Sequence, residues 1–303
     1  MLPIDQAANA GDLDLLISLR EQGHKWSTTT IAYAAQGGHL ECIKYLHEHG
    51  CEWNNSATES AALNGHLDCL KYFHEHGCEW NVWVTGYAAG NGHLNCLMYL
   101  HENRCEWDTI STSSAAYKGH FNCLKFLYEN GCEWDASSTV CAAAHGHLDC
   151  LKYLHEHGCE WNYGATSYAA FGGNLACLQY LYEHGCEWKE DNFIDVCKNH
   201  RLIKVSSAQL NCLQYLYDND CLTFNAFIKI TQSWKNNDIN FDKHSWLRNF
   251  LFPHVDSEDM PENLKEKCKA KIARIELEKQ TVEIELSDKL SLDVIKHCLC
   301  LFI

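Results

Sequence analysis

The string His47-Glu48-His49-Gly50-Cys51 returns almost unchanged at His74 and at His155. Imidazole and thiolate are ligands that zinc prefers, so the first chemistry to weigh is a metal centre. Spacing counts against it. On a helix, residues i and i+2 point about 200° apart, so His47 and His49 do not grip one ion. Cys69 and Cys78 are nine residues apart, roughly 13 Å along a helix, which exceeds the ~7 Å between Cα atoms that a disulfide tolerates. Equivalent residues of successive copies are expected about 10 Å apart, the distance between packed helices. The expectation is no metal and no cofactor, with Cys69-type positions serving as small core hydrophobes. The rival reading, a cytosolic metal or redox protein, needs bound zinc or reactive thiols. The chain has no Gly-rich phosphate loop and no H-E-x-x-H. A residue repeated seven times is also a poor catalyst, because one site needs one convergent set of groups. No catalytic residue is expected and the chain reads as a non-enzyme, since residues 257–303 alone are too few and too helical in composition for a pocket.

These residues recur because the chain repeats. Gly-His-Leu or a near copy begins at Gly38, Gly65, Gly92, Gly119, Gly146 and Gly173, each step being 27 residues. Gly11-Asp12-Leu13 lies 27 before the first and a degenerate Ala208-Gln209-Leu210 lies 35 after the last, giving eight copies with seven in strict register. Trp26, Trp53, Trp80, Trp107, Trp134, Trp161 and Trp188 keep the same period. Each unit has room for two short helices. In one copy the first is predicted from Thr58 to Asn64 around the small pair Ala61-Ala62, ended by Gly65 in the left-handed conformation. The second runs from about Leu67 to His76, with Leu67, Cys69, Leu70, Tyr72 and Phe73 apolar, and Gly77 closes it. That apolar set is wider than one stripe, as a helix covered on both sides requires. A single 27-residue unit does not bury its own apolar face, whereas stacked neighbours do.

The run from Ser56 to Cys78, SATESAALNGHLDCLKYFHEHGC, resembles an ankyrin repeat, T-P-L-H-x-A-A-x-x-G-H-x-x-I-V-x-x-L-L-x-x-G-A. Ala61-Ala62, Gly65-His66 and Gly77 fall in register. The family's unit is about 33 residues, so roughly six are missing after Asn54, where ankyrin repeats build a projecting β-hairpin finger. The Pro of the opening motif is absent too, since Pro3, Pro253 and Pro261 lie outside the repeated core. The short Cys- and Trp-bearing variant is similar to arrays of large DNA viruses and some protists, and the resemblance covers about residues 5–222. It implies an all-α, ankyrin-type solenoid of stacked helix-turn-helix repeats lacking long β-hairpin fingers, with a C-terminal helical tail. If the chain is viral, the implied partner is a host protein.

Charge narrows the partners. Twenty-four Lys and Arg against 40 Asp and Glu leave a net −16, which argues against nucleic acid, because phosphate binding wants a basic surface. No apolar run reaches the ~18 residues needed to span a bilayer, so a membrane partner is not expected. The opening MLPIDQAANAGDLD carries acids and no apolar stretch, so no secretory signal is expected. The 19 Cys then read as reduced thiols, and the expected location is cytoplasmic. Glu48, Glu75, Glu102, Glu129, Glu156 and Glu183 form one ladder. Glu52, Glu79, Glu106, Glu133, Glu160 and Glu187 form another, partly neutralised by Lys44, Lys71, Lys125 and Lys152. Two readings stand, solubility with repulsion of wrong partners or a basic partner. Protonating all 19 His would move the charge from −16 to +3, so acidic-face binding should weaken near about pH 5.

The columns that do not repeat are free to encode a ligand. They stand two and three places after each Trp, and at the second Ala of each pair plus one: Gln36, Leu63, Gly90, Tyr117, Ala144, Phe171 and Lys198. The resemblance puts them on the first helix and its approach, the concave face that ankyrin arrays use. Val82, Trp83, Ile110, Tyr117, Tyr163 and Phe171 are apolar or aromatic there. Exposed aromatics point to a protein interface, and the alternative is that they fill space left by the missing fingers. The expected function is non-catalytic binding of a partner protein through that face.

The organisation is read as a repeat array over residues 1–222, capping helices over 223–256 and a charged helical tail over 257–303. The first copy, with Asp12, Asp14, Arg20 and Glu21, is the polar N-terminal cap. Eight extra residues around Asn199 to Ser207 mark either the array's end or a partner loop. In the tail, Cys268, Ile272, Ile275, Val282 and Leu286 make a short coiled-coil seam, which either self-associates antiparallel or folds back on the array. Cys300-Leu301-Phe302-Ile303 has the form of a prenylation site, against an apolar helix end that packs on the array. The alternative function is therefore a membrane-anchored or self-associating scaffold acting through this tail.

Overall fold

In the computed structural model the described residues are 2–199, 206–223 and isolated positions from Ala226 to Leu277. The chain divides into two compact units, Met1–Trp188 and Lys189–Ile303. Among the described residues there are sixteen helices and no strand. The coiled-coil seam beyond Leu277, most of the insert after Asn199, most of the capping segment and Cys300 lie outside the described residues.

The first unit is seven helix pairs. The first helices are α1 (Pro3–Ala10), α3 (Thr28–Gly37), α5 (Asn55–Asn64), α7 (Val82–Gly90), α9 (Thr109–Lys118), α11 (Ala136–His145) and α13 (Tyr163–Gly172). Their partners are α2 (Leu13–Glu21), α4 (Leu40–Glu48), α6 (Leu67–Glu75), α8 (Leu94–Glu102), α10 (Phe121–Glu129), α12 (Leu148–Glu156) and α14 (Leu175–Glu183). Each first helix packs on the first helix of the next pair, and more closely than the second helices pack on theirs. The cause is side-chain size. Ala34-Ala35, Ala61-Ala62, Ala88-Ala89, Ala115-Ala116, Ala142-Ala143 and Ala169-Ala170 are all buried at these contacts. The second helices bury larger side chains, such as Cys69, Leu70 and Phe73 in α6 or Cys96, Leu97 and Leu100 in α8. Each fully buried Leu or Phe contributes on the order of 1.5–3 kcal/mol.

The expected start at Thr58 falls inside the helix, because α5 already begins at Asn55. The residue after each of Trp26, Trp53, Trp80, Trp107, Trp134 and Trp161 is an N-cap. Asn54 accepts from the Ser56 N–H at 3.0 Å, Asn81 from Trp83 at 3.1 Å, Asp108 from Ile110 at 2.9 Å, and Asn162 from Gly164 at 2.8 Å. A side-chain oxygen there satisfies an otherwise orphaned helix donor. The other end behaves as the spacing predicts, with Gly65 at φ 77° and its N–H turned back to Ala61 and Ala62. This position also needs glycine for a reason that spacing alone does not show, because a Cβ on Gly65 would collide with the His93 ring of the next unit.

Further bonds join successive units. Thr85 Oγ1 donates to the Glu106 carbonyl, Thr112 to Glu133 and Thr139 to Glu160, each at 3.2 Å. The thiols of Cys51, Cys132 and Cys159 donate to the carbonyls of Ser27, Asp108 and Asp135 at 3.3 to 3.4 Å. Asp12, Asp14, Arg20 and Glu21 are exposed, while Asp5 is buried and accepts from Thr30 Oγ1 at 2.6 Å.

In the second unit, α15 (Glu190–Asn199) buries Phe193, Ile194, Val196 and Cys197, and α16 (Ser207–Asp218) is started by a capping box between Ser206 and Gln209. Thr223 donates to the Glu190 carboxylate from its N–H at 2.7 Å and from its hydroxyl at 3.1 Å.

Candidate functional site

The repeated His and Cys residues face different ways and make different bonds. His47 Nδ1 lies 3.0 Å from the Tyr72 hydroxyl of the next unit, and its ring sits 4.0 Å from Trp53. His49 turns back to the Tyr45 carbonyl at 2.8 Å, serving the end of its own helix. Cys51 bonds the Ser27 carbonyl instead. His74 and His155 repeat the His47 arrangement with Tyr99 and Tyr180. A third row, His39, His66, His93 and His147, reaches the carbonyls of Asn9, Gln36, Leu63 and Tyr117 through Nε2 at 3.0 to 3.1 Å. Among the described residues no three His, Cys, Asp or Glu side chains gather as a metal site. Burial pushes the Cys69, Cys105 and Cys159 thiols up to about 12, which suppresses the thiolate that nucleophilic or redox chemistry needs. Burial also holds His47 and His155 below the ordinary imidazole range, helped by the adjacent His76 and His184.

The non-repeating columns lie together on the first helices. The pairs after each Trp are the first two residues of these helices, Val82 and Trp83 opening α7, Thr109 and Ile110 opening α9, Tyr163 opening α13. Trp83 is 48% exposed, Tyr117 43%, and Ile110 and Tyr163 37% each. Val82 and Phe171, expected on the surface, are half-buried.

The family model described as Ankyrin repeats (3 copies) matches residues 4–83 and again 113–192, together just over half of the chain. The chain belongs to the ankyrin-repeat family. The crystal structure of the human ASB11 ankyrin repeat domain is similar at 22% identity, covering 53% of this chain and 85% of that one with a TM-score of 0.46. No curated protein matches the chain in sequence.

The first-helix side of the ankyrin array carries little charge. Helices α3, α5, α7, α9, α11 and α13 hold one carboxylate, Glu59, and one lysine, Lys118. Glu59 accepts from Asn81 Nδ2 at 2.9 Å. Midway along, an open notch of about 460 Å³ is lined by Leu63 from α5, Gly86, Tyr87 and Gly90 from α7, Tyr117 and Lys118 from α9, and Cys141 from α11. Leu63 is 40% exposed and Tyr87 37%. The Tyr117 ring is tilted against His145 at 3.9 Å, and Lys118 Nζ lies 5.4 Å from the same ring. Sequence reasoning missed Tyr87. Its column reads Tyr33, Ser60, Tyr87, Ser114, Cys141 and Tyr168, as variable as those singled out, and it lies one helical turn beyond Trp83.

Proposed function

We propose that this ankyrin-repeat chain is a non-catalytic recognition module that binds a partner protein through its first-helix side. Val82, Trp83, Ile110, Tyr117, Tyr163 and Phe171 form the contact columns. The observation that carries this is the exposure of Trp83, Ile110, Tyr117 and Tyr163 on helices almost free of charge. Large aromatic side chains anchor interfaces, and depletion of charge characterises an interface core rather than ordinary surface. Val82 and Phe171, being half-buried, shape the surface that the exposed rings present. The partner is read as apolar at its point of contact rather than strongly basic. A reducing, cytoplasmic setting suits this reading, because each Cys51-type residue makes its bond as a protonated thiol.

The test is affinity capture from cell lysate with the full chain and with a Trp83→Ala, Ile110→Ala, Tyr163→Ala triple variant. The triple variant is expected to keep its melting profile and lose the captured proteins. Equal recovery of the same proteins by both would remove this side of the array as the binding surface.

A further inference from the structure

The notch sits where the array departs from its own pattern. In α7, Gly86 stands in a column that holds Glu59, Ser113 and Val140 in neighbouring units, and Gly90 stands where Leu63 and Tyr117 stand. Glycine in a helix interior weakens it. The backbone does not call for it at Gly86, which is helical and lacks a positive φ. Nor does packing, since a Cβ there would meet only Ile110 Cγ2 at 3.9 Å, an ordinary contact. Gly90 differs, because a Cβ there would meet Ser114 Cβ at 3.0 Å, so Gly86 is the departure that packing does not explain, and the space is lined by the exposed rings of Tyr87 and Tyr117. Departures from local preference without a structural cause concentrate at functional sites.

The notch has one formal charge, the Lys118 ammonium. Among the described residues no carboxylate lies within ion-pair distance of it, in a chain of net charge −16. We propose that this notch is the socket for a partner peptide that inserts one large apolar side chain between Tyr87 and Tyr117 and sets an Asp or Glu carboxylate against Lys118. The socket rests on the reading that the first-helix side is the binding side, and it specifies the chemistry that this side selects. The apolar side chain gains by leaving water, and the carboxylate supplies orientation by charge complementarity. A basic segment fits poorly, because the notch offers it no acid.

The experiment uses the full chain to select from a displayed library of random dodecapeptides. Wild type is expected to enrich peptides with a large apolar residue close to Asp or Glu. Gly86→Leu fills the space at a column that already accepts Glu59, Ser113 and Val140, so it should fold and bind those peptides at least about tenfold more weakly, the effect of one lost anchor. Tyr117→Ala, which removes an exposed ring rather than adding a buried side chain, should give a loss of the same kind and decides the matter if Gly86→Leu does not fold. Lys118→Glu should turn the selection towards Lys and Arg. Enrichment of peptides without acids by wild type, or an unchanged preference with Lys118→Glu, overturns the socket. If Gly86→Leu and Tyr117→Ala keep the peptides while the Trp83, Ile110, Tyr163 triple variant releases them, the socket falls and the binding side stands. If all of these variants keep them, both fall.

Discussion

The two sides of the repeat array use the same 27-residue period for opposite ends. The second helices and the Trp-bearing links spend their side chains on one another. His74 stacks on Trp80 at 4.1 Å and meets the Tyr99 ring edge-on at 5.9 Å, while Tyr72 and His76 pack at 4.0 Å. Both glutamate rows stay exposed around that framework. The first helices are held by small residues and by bonds to neighbouring units, so their outward columns are left free to vary from copy to copy. Trp83, Tyr87, Ile110 and Tyr117 occupy such columns. The repeated Ala, Leu and His47-type columns answer to the next unit, whereas Trp83, Tyr87, Ile110 and Tyr117 face outward.

This contrast breaks first at the core. Leu97→Ala in α8, where Leu97 is fully buried, should cost about 3 kcal/mol in urea unfolding of the full chain. A loss under ~1 kcal/mol would mean that the second helices are not where stability resides. Gly65→Ala should cost about 2 kcal/mol, combining a positive φ with a clash against His93, and a neutral result would separate Gly65 from the His93 contact.

Acid should act on the repeated side next. His47 and His155 are held below the imidazole value of 6.5 by burial first, then by His76 and His184, with Glu48 and Glu156 opposing. His120 is lowered by burial, then by His93, His147 and Lys118. The folded state therefore binds fewer protons than the unfolded chain. Stability is complete above about pH 6.5 and is lost as pH falls through the lower folded values. Melting temperature should drop between about pH 7 and 5.5, and a His47→Gln, His120→Gln, His155→Gln variant should flatten that drop. An unchanged slope in that variant would assign the acid sensitivity elsewhere. These histidines also resist the full charge reversal that counting all 19 His suggests.

Smaller effects are expected at Gly86 and on the acidic rows. Gly86→Ala should stabilise the chain by up to about 1 kcal/mol, because it restores helix propensity at the cost of no more than an ordinary contact with Ile110 Cγ2 at 3.9 Å, the reverse in sign of Gly65→Ala. Chemical denaturation of the two variants side by side reads that reversal directly. Glu79→Gln on an exposed ladder should stay within about 0.5 kcal/mol, measured the same way. A larger change would give the acidic rows a structural part.

Much of this is legible in the sequence. Gly65 and Gly77 mark helix ends, Ala61-Ala62 mark the close contact, and Leu70 and Phe73 mark the core. The start of α5 lies three residues before the expected Thr58, and the signal for it is the Asn or Asp that follows Trp53, Trp80, Trp107, Trp134 and Trp161, an N-cap pattern. The candidate site was half legible. Trp83, Ile110, Tyr117 and Tyr163 are exposed as their variability implied, whereas Val82 and Phe171 are half-buried. Variability along a column does not measure the depth at which a neighbouring unit leaves a side chain.

The order of residues by itself determined the period, the helix pairs, the family and the split between repeating and varying columns. All of these follow from local propensity and from apolar faces too large for one unit to hide. Only the tertiary structure decided that Gly65 must clear His93, that Thr85 reaches Glu106, and that Gly86 and Gly90 open a notch beside Lys118. Such contacts join residues about 20 to 30 positions apart. Spacing along one helix says nothing of what the next unit brings against it.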